Sequence, residues 1–386
     1  MSPKPPAISG QVPDSGRGQP RYGRRRFLSG AAAAGAAGVV ATTGTTASAQ
    51  TRREVRMVTA WPADFPGFAD SAVRLARRIT VLTSGALTVQ VLAAGEVVGP
   101  FEAFGAVADG RVQMYHALES YWQGRSAAFV FFAGVPFGLT GEEHLAWIHN
   151  GGGQALWDEV AAGFNLKPLM AGHTGLHQSG WYNRPIGGPD DLKGLRVAVT
   201  GLGGQVMRRL GVSASALPGR EIAPALAAGR IDGAEWFGPW NARAIGLPQA
   251  ARYVTYPGVF APGTAIALGI NLDFWANLPV AQQQAVATAA AAETTHTLAE
   301  FHRNNTRALA ELRVDHGLTP RRLPDAVLQA LGEAAGRVVA EVAEGDPLAA
   351  RVYDAFIAFR RESLGWSRQS LQSYLDARLL PFRYGP

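Results

Sequence analysis

The sequence contains no cysteine, and this absence removes three kinds of site at once. Without cysteine the chain has no disulfide, no zinc-thiolate centre and no cysteine nucleophile. Charged residues make up only 17% of the chain and hydrophobic residues 47%, which is ample for a core divided between two or more lobes. No stretch reaches the roughly 18 uninterrupted apolar residues that a membrane helix needs. The nearest run, SAAFVFFAGVPFGL, contains Gly and Pro.

Basic charge is scarce once the first 49 residues are set aside. That segment carries six basic residues against Asp14 alone, which is +5 of the formal net charge of +6. The remaining +1 is spread over more than 300 residues and forms no basic stripe. A nucleic-acid partner is therefore not expected, because nucleic-acid binding needs a clustered basic footprint.

The basic leader has the order of parts of an export signal. Arg24 and Arg25 precede Phe27 and Leu28, an Ala/Gly/Val stretch follows at 30–41, and ASA at 47–49 forms a cleavage site before Gln50. The alternative is a basic, Ala-rich leader with this order by chance. The pattern predicts a twin-arginine signal peptide over 1–49 and a mature protein in the periplasm.

Beyond the leader, strands and helices alternate. Residues 54–61 and 87–92 read as strands on either side of a helix at 68–82, which is a βαβ rhythm typical of a mostly parallel sheet. A second strand–helix set follows, and the apolar run 265–270 predicts a central strand. From residue 280 onward the pattern is helical. The sequence therefore predicts an α/β fold with two lobes, chain crossovers between them and long C-terminal helices.

Tests for enzyme motifs are negative. There is no HExxH, no G-x-S-x-G and no P-loop, and Gly201–Gly204 lacks the spacing of a dinucleotide-binding loop. His144 and His149 are five residues apart, which places them about 140° apart around a helix. No nucleophile–base pair is evident, so binding without turnover is the favoured interpretation.

Aromatic and polar residues gather where the predicted strands end. In open α/β sheets ligands bind beyond the carboxyl ends of the strands, so this ring predicts a ligand pocket. For any one of these aromatic residues, core packing is an equal alternative. The strand-end residues are Trp61, Phe65, Glu119, Tyr121, Trp122, His177, Gln178, Trp181, Glu235 and Trp236.

A series of motifs resembles the solute receptors of TRAP (tripartite ATP-independent periplasmic) transporters, in the branch that binds 2-oxo acids and lactate. The motifs include WPADFPG, AAGEVV, SYWQG, VPFGLT, GHTGLHQSGWY, LKGLRV, LPGREI and GRIDGAEWFGP, and the resemblance covers about residues 54–375. It implies a non-enzymatic, two-lobed periplasmic-binding-protein fold with mixed sheets that closes on a small organic solute, an organic acid or a related compound, and delivers it to a membrane permease. The implied lobes are 50–175 with 264–303, and 176–263 with 304–386. A homodimer through an exchanged C-terminal helix is left open.

The resemblance also shows where the ligand chemistry departs from the family. Ala198 occupies the position of an arginine that clamps a carboxylate, and either Arg196 or Arg220 remains as a substitute. His177 stands where relatives have glutamine. Val259, Phe260 and Ala261 replace Trp, His and Glu.

Glu235 and Trp236 are retained, and in relatives they help to hold a cation that bridges to the ligand. The resemblance therefore implies a Na⁺ or Ca²⁺ ion as a cofactor, with Glu235 and Trp236 as metal ligands. Because their partners have changed, we expect this mode to be weakened or lost, and the ligand to be more apolar, less charged or differently oriented. Glu235 would then accept a hydrogen bond from His177 or from the ligand. The expected ligand-binding residues are Phe65, Tyr121, Trp122, His177, Gln178, Trp181, Ala198, Glu235, Trp236 and Phe260.

Two other classes of function stay open at this point. An exported enzyme on the same scaffold requires a reactive pair in the cleft. A ligand-sensing receptor requires no permease.

Overall fold

The structure is a computed structural model that describes residues 52–385. The predicted signal peptide lies outside the described residues. Among the helices that are described, none is both long enough and apolar enough to cross a membrane.

Eleven strands are present in the described chain, interleaved with helices. The strands are β1 Arg53–Thr59, β2 Leu87–Leu92, β3 Met114–Ala117, β4 Leu166–His173, β5 Gly180–Tyr182, β6 Arg196–Ala198, β7 Ser213–Ser215, β8 Gly233–Ala234, β9 Tyr253–Tyr256, β10 Ala265–Asn271 and β11 Arg321–Arg322. The α-helices are α1 Phe68–Leu82, α2 Ala103–Ala108, α3 Phe129–Ala133, α4 Gly141–Asn150, α5 Gly153–Ala162, α6 Gly201–Arg209, α7 Gly219–Ala227, α8 Pro239–Ala244, α9 Leu247–Ala250, α10 Leu272–Ala276, α11 Val280–His316, α12 Asp325–Glu341, α13 Pro347–Ser367 and α14 Ser373–Arg378. Two 3₁₀ segments, Glu119–Trp122 and Pro189–Leu192, and one π-helical segment, Arg368–Gln372, complete the described elements.

The strands form two sheets, and each sheet is the centre of one lobe. The first lobe has the five-stranded order β2-β1-β3-β10-β4, and the second has the six-stranded order β11-β9-β5-β8-β6-β7. β1 pairs in parallel with β2 and β3, as the βαβ rhythm predicts. Every residue of β10 is buried, so its central place between β3 and β4 agrees with its apolar run.

Both sheets are mixed. β10 runs antiparallel to β3 and β4, and β5 runs antiparallel to β8 and β9. The expectation of a mostly parallel first sheet needs this correction, because β10 enters the sheet from the other lobe and not from a crossover helix. The α/β fold with two lobes and mixed sheets is confirmed.

Two chain segments connect the lobes side by side. Residues 174–179 lead from β4 to β5, and residues 257–264 lead from β9 back to β10. The two segments are tied together where Thr174 N–H donates to the Thr264 carbonyl at 3.0 Å and Thr264 N–H donates to Thr174 Oγ1 at 2.9 Å.

The 37-residue helix α11 connects the lobes a third time. In the first lobe, the hydroxyl of Thr294 donates to the Met170 carbonyl, and that of Thr297 accepts from His173 N–H. In the second lobe, Asn305 Oδ1 accepts from Trp240 N–H at 3.1 Å. One rigid element thus contacts both lobes.

The C-terminal helices divide between the lobes. α12 packs on α6 of the second lobe, whereas α13 packs on α3, α4 and α5 of the first. Phe356 of α13 inserts between Phe131 and Trp147, with ring centroids 5.2 Å from each. The predicted second lobe included all of 304–386, but the apolar face of α13 packs on first-lobe helices.

Candidate functional site

A cavity of about 870 Å³ lies between the two lobes. Most of the residues that line it lie within the segments 60–66, 118–121, 198–203, 216–222, 235–237 and 260–264. Several of these segments directly follow a strand: 60–66 follows β1, 118–121 follows β3, 198–203 begins at the end of β6 and 235–237 follows β8. The wall is therefore built at strand ends, which is where the sequence pattern places a ligand pocket.

Aromatic rings cover much of the wall. The ring of Phe65 is stacked on that of Phe68 at 5.1 Å, and Phe65 meets Trp236 of the opposite lobe edge-on at 6.2 Å. Phe237 contacts the same Phe68 ring at 4.8 Å and Trp236 at 5.3 Å. Such a wall favours an apolar ligand body over a fully hydrated one.

Glu235 is the carboxylate within this aromatic wall. Its backbone N–H donates to the Ala198 carbonyl at 2.9 Å, which continues the β6–β8 pairing and sets the side chain at the end of β8. Burial raises the pKa of its carboxyl group from 4.5 to about 7. Within residues 52–385, no side chain donates a hydrogen bond to this carboxyl group or forms a salt bridge with it. An unpaired acid among apolar groups is costly to keep ionised, so its partner has to come from the ligand or the solvent.

His177 lines the cavity but does not bond to Glu235. Its Nε2 lies 2.6 Å from Thr174 Oγ1 in the lobe-connecting segment, and its Nδ1 is buried without a partner. Burial lowers the pKa of this imidazole to about 4, so His177 is neutral. The expected imidazole–Glu235 hydrogen bond is therefore wrong, because Thr174 takes one ring nitrogen and the other bonds to no described group.

The two candidate arginines lie in different surroundings. Arg196 is held by Asp232 through Nε–Oδ2 at 3.0 Å and Nη2–Oδ1 at 2.8 Å, and it also donates to the Gly229 carbonyl. It does not line the cavity. Arg220 does line the cavity, at its mouth, and its Nη2 donates to Asp64 at 3.3 Å. Ala198, also on the wall, offers no charge there.

Three of the expected site residues do not line the cavity. Trp122 is packed in the first-lobe core against Phe104 at a ring distance of 5.3 Å. Trp181 on β5 is fully buried in the second-lobe core, and Gln178 is buried in the segment between the lobes. The expectation for these three is corrected: a strand or turn presents neighbouring side chains to opposite sides, and these face the core. The expected residues that do line the cavity are Phe65, Tyr121, His177, Ala198, Glu235, Trp236 and Phe260.

Asp64, Thr264 and the pairing of Asp64 with Arg220 had no clear signal in the sequence. Asp64 and Arg220 are 156 positions apart and meet only because the lobes face each other. Thr264 lines the cavity from the second connecting segment. The turn at Gly201–Gly204, which lacks the spacing of a dinucleotide-binding loop, places Gly201 and Gly203 on the wall.

Glu235 and the Trp236 carbonyl do not by themselves complete a calcium site. Ca²⁺ takes six to eight oxygen ligands, commonly from several carboxylates. In the described part of the chain, no group of three or more His, Cys, Asp or Glu residues is placed to hold a metal. The wall nearby is apolar, with Phe260 and Ala261 on the returning segment. Glu235 and the Trp236 carbonyl would supply only a small part of such a set.

Among residues 52–385, no nucleophile–base pair lines the cavity. The hydroxyl groups on its wall belong to Ser120, Tyr121, Thr200 and Thr264, and none of them is hydrogen-bonded to a basic side chain in the described structure. The arrangement is suited to holding a solute and offers no activated nucleophile.

Comparison with known proteins gives consistent matches over most of the chain. Residues 57–346 match the family described as bacterial extracellular solute-binding protein, family 7. A monocarboxylate 2-oxoacid-binding periplasmic protein from Nostoc is 36% identical over 319 residues, covering 83% of this chain and 87% of that protein.

Solved structures of TRAP transporter solute-binding proteins are similar over most of the chain. A TRAP transporter solute-binding protein from Bordetella bronchiseptica, a dimer with calcium and picolinate bound in one site, is 31% identical with a TM-score of 0.81, covering 85% of this chain and 98% of that one. A second, from Pseudoalteromonas atlantica with sodium and pyruvate bound, is 28% identical with a TM-score of 0.80, covering 86% and 100%.

Proposed function

Since this chain belongs to family 7 of the bacterial extracellular solute-binding proteins, the solute receptors of TRAP transporters, we propose that it captures a small monocarboxylic acid, or a close relative of one, in the cavity between its lobes. It then hands the solute to the membrane subunits of the transporter. The observation that carries the proposal is the aromatic-lined interlobe cavity at the strand ends, which has no reactive pair on its wall. Family and fold do not favour an enzyme or a stand-alone sensor.

The proposed ligand has a larger apolar body than pyruvate. The relatives bind pyruvate and picolinate, but here Ala198 leaves the deep wall without a cation and Phe65, Trp236, Phe237 and Phe260 present apolar surface. A cavity of about 870 Å³ also exceeds the needs of a three-carbon acid. The proposal does not depend on a bridging Na⁺ or Ca²⁺ ion, since Glu235 and the Trp236 carbonyl supply only part of the oxygen ligands that such an ion takes.

Capture proceeds by closure of the lobes. The division into 50–175 with 264–303 and 176–263 with 304–386 is retained as a proposal, with α13 reaching back onto the first lobe. The hinge consists of the paired segments 174–179 and 257–264 and the middle of α11. Contacts already cross the cleft, for instance the hydrogen bond from Asn241 Nδ2 to the Pro66 carbonyl at 2.9 Å.

We also propose a homodimer through the C-terminal tail. Beyond α13, the tail exposes Leu371, Tyr374, Leu379, Leu380 and Phe382, more apolar surface than a solvated helix end requires. The Bordetella relative is described as a dimer. Light scattering of the chain with and without residues 368–386 tests this, and a monomer in both cases contradicts it.

Export by the twin-arginine pathway is proposed from Arg24, Arg25 and the ASA site alone. Replacing both arginines by lysine should leave uncleaved precursor in the cytoplasm. Normal cleavage of that variant contradicts the route and leaves the ligand proposal intact.

Native mass spectrometry of the purified chain tests the proposed function. We expect a co-purified small acid, released on denaturation, that then raises the melting temperature when added back, because a ligand that binds the folded state stabilises it. Chemical conversion of that solute by the protein would instead favour the enzyme class.

A further inference from the structure

Arg220 is the one arginine or lysine among the described residues that line the cavity. It occupies the second position of α7, next to Gly219, and reaches the mouth of the cavity from the second lobe. The backbone at Gly219 lies close to the indole of Trp236: a Cβ added there would meet Trp236 Cη2 at 2.7 Å. The backbone of α7 at Arg220 therefore lies next to the aromatic wall.

The ion pair between Arg220 and Asp64 is weak. The ion pair with Asp64 is a single contact of 3.3 Å between side chains that are 76% and 80% exposed. Exposed pairs of this kind contribute little to stability, since water and salt screen them. Because a guanidinium has five N–H donors, most of those of Arg220 remain available to a second anion.

Arg196 gives the contrast within the same chain. Its guanidinium is already engaged by both Asp232 oxygens and by the Gly229 carbonyl. The Nε–Nη2 edge of Arg196 is therefore already occupied, and its side chain does not line the cavity. Arg196 and Arg220 are the two candidates to replace the arginine that is missing at Ala198. Of these, only Arg220 lines the cavity with N–H donors available to a ligand.

The inside of the cavity does not favour an anionic group. The deep wall carries the Glu235 carboxyl group and apolar residues, and Ala198 contributes no charge. A ligand carboxylate placed there would meet a second carboxyl group without a compensating cation. The mouth, with Arg220, is the complementary end.

We propose that Arg220 binds the ligand carboxylate at the mouth of the cavity, so that the ligand lies with its acid end outward and its apolar body against Phe65 and Trp236. This assignment rests on the proposed function and names the residue that selects an acid. Asp64 competes with the ligand for the guanidinium and is displaced from it on binding.

The test compares an acid with its neutral amide. Picolinate and picolinamide, which differ only at the carboxyl group, are titrated calorimetrically into wild type and Arg220→Gln. We expect the variant to weaken picolinate binding by about 3- to 10-fold, a modest loss because the guanidinium is exposed and its ion pairs are screened, and to leave picolinamide binding unchanged. Arg196→Gln serves as the matched control and should change neither affinity.

Two further variants sharpen the result. Arg220→Lys keeps the positive charge but loses the planar guanidinium. Its affinity for picolinate should therefore lie between those of wild type and Arg220→Gln. Asp64→Asn should tighten picolinate binding about two- to five-fold by removing the competing anion.

The assignment is wrong if Arg220→Gln loses affinity equally for picolinate and picolinamide, or if it loses none for picolinate. In either case, binding of picolinate by the wild type leaves the proposed function standing. Failure of wild type to bind picolinate, pyruvate or phenylpyruvate overturns the proposed ligand class and this assignment with it.

Discussion

At the scale of the residue, the environment of each ionisable group decides its role more than its type does. Glu119 and Glu235 both follow a strand of a lobe sheet, yet only Glu235 opens to the cavity. Glu119 is fully buried, accepts a hydrogen bond from the Tyr115 hydroxyl at 2.8 Å, and has its pKa raised by burial to about 8. It is a neutral structural group at physiological pH.

Replacing Glu119 by glutamine should remove a pH dependence of stability. The folded chain keeps a proton on Glu119 between the ordinary pKa of 4.5 and about 8, whereas the unfolded chain releases it. The wild type therefore loses up to about 1.4 kcal/mol of unfolding free energy per pH unit as pH rises through this window. Denaturation of Glu119→Gln and wild type from about pH 5.5 to about pH 7.5 should show the variant gaining on the wild type as pH rises.

The exposed residue Glu96 provides the control for this change. Glu96→Gln should follow the wild-type pH curve. If Glu119→Gln also follows it, the buried carboxyl group is ionised in the folded protein and the account of Glu119 is wrong.

Restoring a cation at position 198 should restore affinity for a very small acid. Ala198 is buried on the wall beside the Glu235 backbone, so Ala198→Arg places a guanidinium inside the cavity. We expect pyruvate to bind at least about tenfold more tightly than to wild type. Ala198→Gln is the control for side-chain size. If both variants bind pyruvate with equal affinity and both melt near the wild-type temperature, the missing positive charge at position 198 does not limit pyruvate binding.

Much of the site was predictable residue by residue from one rule, that ligands bind where strands end. The rule identifies Phe65, Tyr121 and Glu235, because each lies on a segment that follows a strand. It also selects Trp122 and Trp181 wrongly, because a position in or after a strand does not reveal which side chains face the cavity. Arg220 was a candidate from the sequence, but its contact with Asp64 across the cleft could not be predicted.

At the scale of the element, apolar patterns predict well where a helix or strand lies, but they do not predict in which direction a strand runs in its sheet. The period of α1 buries Phe68, Leu75 and Ile79 on one face, and the continuous apolar run of β10 gives a strand buried on both faces. The pattern could not show that β10 runs antiparallel, since direction depends on the path of the chain through the other lobe.

Helix α13 is an element whose attachment depends on one aromatic side chain. Phe356 is 2% exposed and lies between Phe131 and Trp147. Phe356→Ala should lower the free energy of unfolding by about 3–5 kcal/mol, the usual cost of a large core cavity. Urea denaturation measures this change.

Val314 on α11 is 84% exposed and provides the control. Val314→Ala should stay within about 0.5 kcal/mol of wild type. A cost for Phe356→Ala no larger than this would mean that α13 is not packed on the first lobe as described.

At the scale of the whole molecule, function arises from two lobes that face each other across one cavity. The sequence patterns predict two strand–helix sets and a helical C-terminal region, but not the relative placement of the lobes, which is set by the paired segments 174–179 and 257–264 and by α11. The family match over residues 57–346 supplies the class of function.

The most direct measurement is a calorimetric titration of the purified wild-type chain with picolinate, pyruvate and phenylpyruvate, each beside its amide. The account predicts that at least one acid binds with a dissociation constant of about a micromolar or less, about tenfold or more below that of its amide, and is recovered unchanged. It also predicts that pyruvate is not the tightest of the three. Binding of the amides alone, conversion of a solute, or submicromolar binding of pyruvate in preference to the larger acids would contradict it.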